Sequence, residues 1–103
     1  MVHPRGHFLY TAAGPSSGAE ISEFAIDANG LLTWGSDVTQ GVKDVSSLAI
    51  DASGKFLYAA NFTEGTIAMF TIAPDTGALT PNPPAGNNTI GVPGGIVSIA
   101  TTH

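Results

Sequence analysis

Few side chains in this sequence can move protons or hold a ligand, and they fall into three groups. The histidines are His3, His7 and His103. Imidazole titrates near neutral pH, so such a group can serve as a general base or ligate a metal. His3 and His7 flank a turn at one end of the chain and His103 stands at the other, so only folding or assembly would unite them. No metal-ligand spacing and no Ser-His-Asp arrangement accompanies them; no metal site and no cofactor is expected. A second group, Asp37, Gln40, Lys43 and Asp44, sets carboxylates beside a single cation. A third joins Asn61, Thr63 and Glu64 to Asn82, Asn87 and Asn88 further on. Hydrolytic chemistry needs a base to activate water and donors to hold a developing oxyanion. The catalytic candidates are therefore His3, His7, Glu64 and His103, and the ligand-binding candidates Asp37, Lys43, Asp44, Asn61 and Glu64. The competing reading makes all of them solvated turn or terminal residues, with Lys43 and Asp44 as a surface pair. Asn61-Phe62-Thr63 and Asn87-Asn88-Thr89 also match the glycosylation sequon.

Whatever these groups do, a duplicated scaffold has to place them. Gly6-His7-Phe8-Leu9-Tyr10-Thr11-Ala12-Ala13 returns as Gly54-Lys55-Phe56-Leu57-Tyr58-Ala59-Ala60-Asn61, 48 residues on. Glu20–Ile26 returns as Thr66–Ile72 at an offset of 46, and Gly30-Leu31-Leu32-Thr33 as Gly77-Ala78-Leu79-Thr80 at 47. Periods of this length mark architectures whose units cannot bury their apolar faces alone. Each unit reads as short strands punctuated by turn formers. In the second copy these are 56–60 between Ser53-Gly54 and Asn61, then Thr66–Ile72, then 78–80 after Pro74-Asp75-Thr76-Gly77. Residues 56–60 are apolar on both faces, the pattern of a strand covered on two sides. Prolines at 81, 83 and 84 suit an outer, edge strand. Val45–Ile50 adds a strand ahead of the second copy, only Val2 precedes the first, and 96–100 reads as one more copy of Val45–Ile50. The expected division is a first unit at 1–44 lacking its inner strand, a second at 45–85, and a linker with the inner strand of a next unit at 86–103. The connections between units, and those between second and third strands, then gather on one rim, where the second and third groups of candidates fall.

Charged residues make up 11% of the chain, well below the roughly 25% usual in soluble domains. Hydrophobic residues reach 43%, with 13 Gly and 7 Pro, a composition of short strands, tight turns and faces buried by neighbours. Eight acids against three cations give a net charge of −5. The basic stripe that a nucleic-acid backbone requires is missing, and an anionic membrane is no better a partner. Without cysteine there is no disulfide, thiolate nucleophile or cysteine metal site. No apolar run reaches membrane-spanning length and no signal-peptide core opens the sequence, so a soluble, cytoplasmic protein is expected.

Units of under fifty residues with four antiparallel strands and Gly-rich turns describe the blades of a β-propeller. Asp51-Ala52-Ser53-Gly54-Lys55-Phe56-Leu57-Tyr58-Ala59-Ala60-Asn61, followed by 65–72 and by Asp75-Thr76-Gly77-Ala78-Leu79-Thr80, resembles the lactonase-type seven-bladed propeller family, which includes 6-phosphogluconolactonase-like proteins. The resemblance covers essentially the whole chain, most clearly 45–80, and implies an all-β fold of propeller blades. Its words are the scaffold of each blade, so it speaks to blade type more than to activity. The chain departs from the family in size, with material for two blades.

Two blades leave two apolar sheet faces and an unpaired inner edge without neighbours. A closed homo-oligomer is the expected remedy, a six-bladed trimer preferred over an eight-bladed tetramer. Residues 96–100 of one protomer would complete the first sheet of the next by strand exchange; a fragment of a longer propeller is the alternative. Two functional classes stay open. One is a lactonase-like hydrolase acting on a small cyclic ester at the rim. The other is a non-catalytic module that binds a small ligand or carbohydrate at equivalent sites around a ring. Trp34, Tyr10 and Tyr58 are able to stack on a sugar, although the two tyrosines occupy matching repeat positions and read as blade core.

Overall fold

The computed structural model describes residues 3, 6–13, 19–62, 64–83 and 88–92. Among them are eight strands and no helix: β1 Phe8–Ala13, β2 Glu20–Ile26, β3 Leu32–Val38, β4 Val45–Ile50, β5 Phe56–Asn61, β6 Thr66–Ile72, β7 Leu79–Pro81 and β8 Thr89–Gly91. The chain is all-β, in two antiparallel sheets ordered β1-β2-β3 and β4-β5-β6-β7, with β8 also on β6. Residues 96–100, expected as a strand, lie outside the described residues, as do Thr63, Asn87 and His103.

Aspartates at turn positions close the hairpins, because a short carboxylate can accept from backbone two to five residues on. Asp27 Oδ1 accepts from the amides of Asn29 and Leu31 at 2.8 and 2.9 Å, tightening the β2–β3 turn. Asp51 Oδ1 accepts from the amides of Lys55 and Phe56, both at 3.1 Å, while the Ser53 hydroxyl donates to its other oxygen. The strands that follow pair in the register the repeat implies, Phe8 opposite Ala25 in one sheet and Phe56 opposite Thr71 in the other.

The outer strand of the second sheet comes in two pieces on one side of β6. β7 pairs with Phe70–Ile72 through Pro81, Thr80 and Leu79, and β8 pairs with Thr66, Ile67 and Ala68. Met69 stands at the join: its carbonyl accepts from the Asn82 amide at 3.0 Å and its amide donates to the Asn88 carbonyl at 2.7 Å. β8 lies in a stretch the sequence reads as linker. Its three residues carry no alternation long enough to declare a strand.

One apolar core joins the two sheets. Tyr10 and Ile21 of the first lie in the same cluster as Ile50, Leu57, Ala59, Ala68, Phe70 and Ile72 of the second. Strand periodicity decides the membership: along β6, Ala68, Phe70 and Ile72 are buried while Ile67, Met69 and Thr71 are only partly so. Burying a side chain such as Phe70 or Leu57 contributes about 1.5–3 kcal/mol. On β5, Leu57 and Ala59 are covered, whereas Phe56 and Tyr58 on the other face are half-buried. Within one chain, then, this strand is fully covered on one face. The far face of the first sheet likewise carries Leu9, Phe24 and Ile26, with Leu32 and Trp34 exposed.

Candidate functional site

Two buried asparagines draw three connections together at one end of the second sheet. Asn61, at the end of β5, is fully buried. Its Oδ1 accepts from the Lys43 amide at 2.9 Å, and its Nδ2 donates to the Gly41 carbonyl at 2.8 Å and to Thr66 Oγ1 at 3.0 Å. Asn88, also buried, donates from Nδ2 to the carbonyls of Gln40 and Met69 at 3.0 and 3.3 Å. The Phe62 amide donates to the Asp44 carbonyl at 3.2 Å, and Val92 to Gly65 at 2.7 Å. Residues 40–44, 61–62, 64–65 and 88–92 thus form one backbone-locked cluster. Gln40, Lys43 and Glu64 are exposed on it, and Asp44 is half-buried with φ at 41°. The cluster offers one ammonium, one exposed carboxylate and several backbone groups fixed in place. The Asn61 amide is itself consumed inside the cluster, which also removes it from the sequon chemistry its neighbours suggest.

The other candidates lie elsewhere. Asp37, expected in the connection after the first unit, is part of β3, because a bulge at Gly35 lets that strand run on to Val38. Its carboxylate accepts from the Trp34 indole at 3.0 Å. That bond, with weaker help from Ser22 and Glu20, holds the Asp37 carboxyl below its usual range although it is solvent-exposed. His3 is buried, not solvated: its Nε2 lies 2.8 Å from the Gly54 carbonyl, and its ring meets Phe8 edge-on at 5.8 Å. His7 is exposed beside the same Phe8. Gly54 belongs to the β4–β5 turn, at the opposite end of β4 from Lys43 and Asp44. His3 therefore stands at the far end of the sheet from Lys43 and Glu64. Repeat alignment carries the signal for this, since His3 matches Asp51. Both turns close the same way, His3 amide to Phe8 carbonyl at 2.7 Å and Asp51 amide to Phe56 carbonyl at 3.1 Å.

Two cavities and one buried acid go beyond the sequence reading. A largely apolar cavity of about 320 Å³ is lined by His3, Ser53, Lys55, Phe56, Thr71 and Pro74 among others. A second, of about 330 Å³, lies between Tyr10-Thr11-Ala12 on β1 and Ser46-Ser47-Leu48 on β4. Glu23 is buried where the sheets meet; it accepts from the Ser36 hydroxyl at 3.0 Å and from the Leu79 amide at 3.1 Å. Tyr10 beside it donates to the Gly77 carbonyl at 2.6 Å, and burial, reinforced by the Glu23 carboxylate, pushes its phenol well above the ordinary value. An acid at an inward position of β2 is the signal that could have found this pair. Among the described residues, no three His, Cys, Asp or Glu side chains form a group able to hold a metal ion. No helix among them is long and apolar enough to cross a membrane.

Comparison with known proteins identifies the architecture. The family model described as lactonase, 7-bladed beta-propeller matches residues 1–86. Among solved structures, a 6-phosphogluconolactonase candidate from Bacteroides fragilis is 25% identical with a TM-score of 0.79, over 95% of this chain and 26% of that one. A similar candidate from Bacteroides uniformis is 25% identical with a TM-score of 0.76, over 89% of this chain and 25% of that one. The periplasmic gluconolactonase of Pseudomonas aeruginosa, 21% identical with a TM-score of 0.70 over 77% of this chain and 22% of its own, shares the fold. The chain spans about a quarter of the length of the solved structures it matches. A search of the curated proteins finds no match. Two stacked antiparallel sheets, a repeat of under fifty residues and a family match over 1–86 agree: the chain belongs to the lactonase family of seven-bladed β-propellers.

Proposed function

We propose that the chain supplies two blades to a lactonase-type propeller and that the assembled ring acts on a small cyclic ester at the end where 40–44, 61–62, 64–65 and 88–92 converge. The observation that carries this reading is the pair of exposed opposite charges, Lys43 and Glu64, on a backbone cluster clamped by Asn61 and Asn88. Glu64 would take a proton from water as its oxygen bonds to the lactone carbonyl carbon. Lys43 would hold the oxyanion that forms. Collapse would break the ring C–O bond, and the proton would pass to the departing alkoxide, leaving a hydroxy acid. The chain holds only Arg5, Lys43 and Lys55 as fixed cations, which favours an unphosphorylated lactone. Copies of this chain would supply the other blades, as a trimer or a tetramer, with residues 96–100 adding to β1, an edge strand among the described residues, beside the 330 Å³ cavity.

A second reading, a non-catalytic binding module, is favoured by Trp34, which is 58% exposed and free to stack on a sugar. The two separate in one experiment: hydrolysis of gluconolactone above its spontaneous rate, alongside a tryptophan-fluorescence titration with lactone and with simple sugars. Turnover abolished by Glu64→Gln and by Lys43→Ala supports the hydrolase. Saturable binding without turnover supports the binding module. Turnover indifferent to both substitutions rules out this end of the sheet.

A further inference from the structure

The contact that joins the two units inside the chain is spelled a second time on its outer faces. Inside, Phe8 and Tyr10 of β1 and Ile21 of β2 lie against the core face of the second sheet, with Leu57, Phe70, Ile72 and Leu79. The Tyr10 hydroxyl donates to the Gly77 carbonyl at 2.6 Å, and the Phe8 ring covers Gly77 so closely that a Cβ there would lie 2.5 Å from it. Moved forward by one repeat, Phe8, Tyr10 and Ile21 become Phe56, Tyr58 and Ile67, on the half-buried face of the second sheet. Moved back by one repeat, Leu57, Phe70, Ile72, Gly77 and Leu79 become Leu9, Phe24, Ile26, Gly30 and Leu32, on the far face of the first. The two outer faces are the two halves of a contact the chain already makes with itself.

We infer that a second copy of this chain docks head to tail on these faces, with Tyr58 of one copy donating to the Gly30 carbonyl of the next and Phe56 covering that glycine. The inference rests on the reading that copies of this chain complete the propeller, and it names the seam between them. The turn that receives the tyrosine is already in the matching conformation, with φ at 80° for Gly30 and 75° for Gly77. Space for the phenylalanine is present as well, since a Cβ at Gly30 would meet nothing within 4 Å. Among the described residues the Tyr58 hydroxyl has no hydrogen-bond partner, whereas its counterpart Tyr10 is wholly buried on Gly77. One position differs in kind. Glu23, which accepts from the Leu79 amide in the inner seam, is replaced by Met69, so the outer seam need not desolvate a carboxylate. The contact is heterologous, because a tyrosine face meets a glycine face, and copies therefore add in one direction until a ring closes.

The test uses light scattering and sedimentation on the full chain. Tyr58→Glu spoils one face and Leu32→Glu, at a side chain 52% exposed, spoils the other. Each variant alone is expected to be a folded monomer by circular dichroism. An equimolar mixture is expected to form a dimer and nothing larger, because one intact seam survives between unlike variants. Tyr58→Phe, which removes only the hydroxyl, is expected to weaken association about tenfold. Where a glutamate variant fails to fold, Tyr58→Ser and Leu32→Ser carry the same mixing experiment. Assembly unchanged in both variants would overturn the seam while leaving the ring intact. Folded variants that stay monomeric when mixed would likewise overturn it. A wild-type chain that remains monomeric at every concentration would overturn seam and ring together.

Discussion

Asn61 shows how far a residue type alone can mislead about its role. Its position on the rim is legible from the repeat, and its polarity marks it as a ligand-binding candidate. Burial is what the letters do not carry: the amide is enclosed and saturated by Lys43, Gly41 and Thr66. Asn61→Ala leaves the partly buried Lys43 amide and Gly41 carbonyl without these partners, and it should lower stability by about 1–3 kcal/mol in urea denaturation. Tyr10 predicts a pH dependence. Burial, then Glu23, raises its phenol above the ordinary 10.0, so the folded chain holds this proton more tightly than the unfolded chain does. Stability is therefore complete below pH 10 and declines as the pH rises beyond it, and Tyr10→Phe should flatten that alkaline decline. Asp37 works in the opposite sense. The Trp34 indole, first among its partners, lowers its carboxyl below the ordinary 3.8, so the fluorescence of this single tryptophan should titrate with a midpoint under that value. Asp37→Asn should abolish the titration.

Among the elements, strands with strong alternation and flanking turns were readable, and the short or interrupted ones were not. β1, β2, β5 and β6 follow directly from the duplicated segments. β3 runs past its expected end because of the bulge at Gly35, and this carries Asp37 out of the connection and into the sheet. β8 is not legible because its three residues carry no alternation, and it takes up the β6 positions Thr66–Ala68 that β7, on Phe70–Ile72, leaves unpaired. Asn88 holds β8, through Gln40 and Met69, to the connection at 40–44. Asn88→Ala should therefore speed hydrogen exchange at the β6–β8 pairing by tenfold or more while leaving β5–β6 amides nearly unchanged, a local loss of about 1–2 kcal/mol.

For the whole molecule, the number of units and the shortage of charge alone announce stacked sheets. Which sheet face meets which was beyond the sequence, because periodicity separates two faces without saying what covers either. The structure unites the sheets in one core, so they should unfold as one. Phe70→Ala in the second sheet is expected to cost about 3–5 kcal/mol. Trp34, which reports only on the first sheet, should lose its native fluorescence at the same lowered urea midpoint as the far-ultraviolet circular dichroism. Two separated transitions would mean that the shared core does not couple the units.

The matched turns at His3 and Asp51 bear on the grammar of the duplication. Asp51 spends its side chain on its own turn, whereas His3 in the same seat reaches across to Gly54. One copy is a self-sufficient sentence and the other leans on what comes next. The chain accordingly has a direction: exchanging the order of its two units would keep every backbone turn and lose the imidazole clasp between them. A synthetic chain made of two second units should fold its blades and hold them together less tightly than the natural pair.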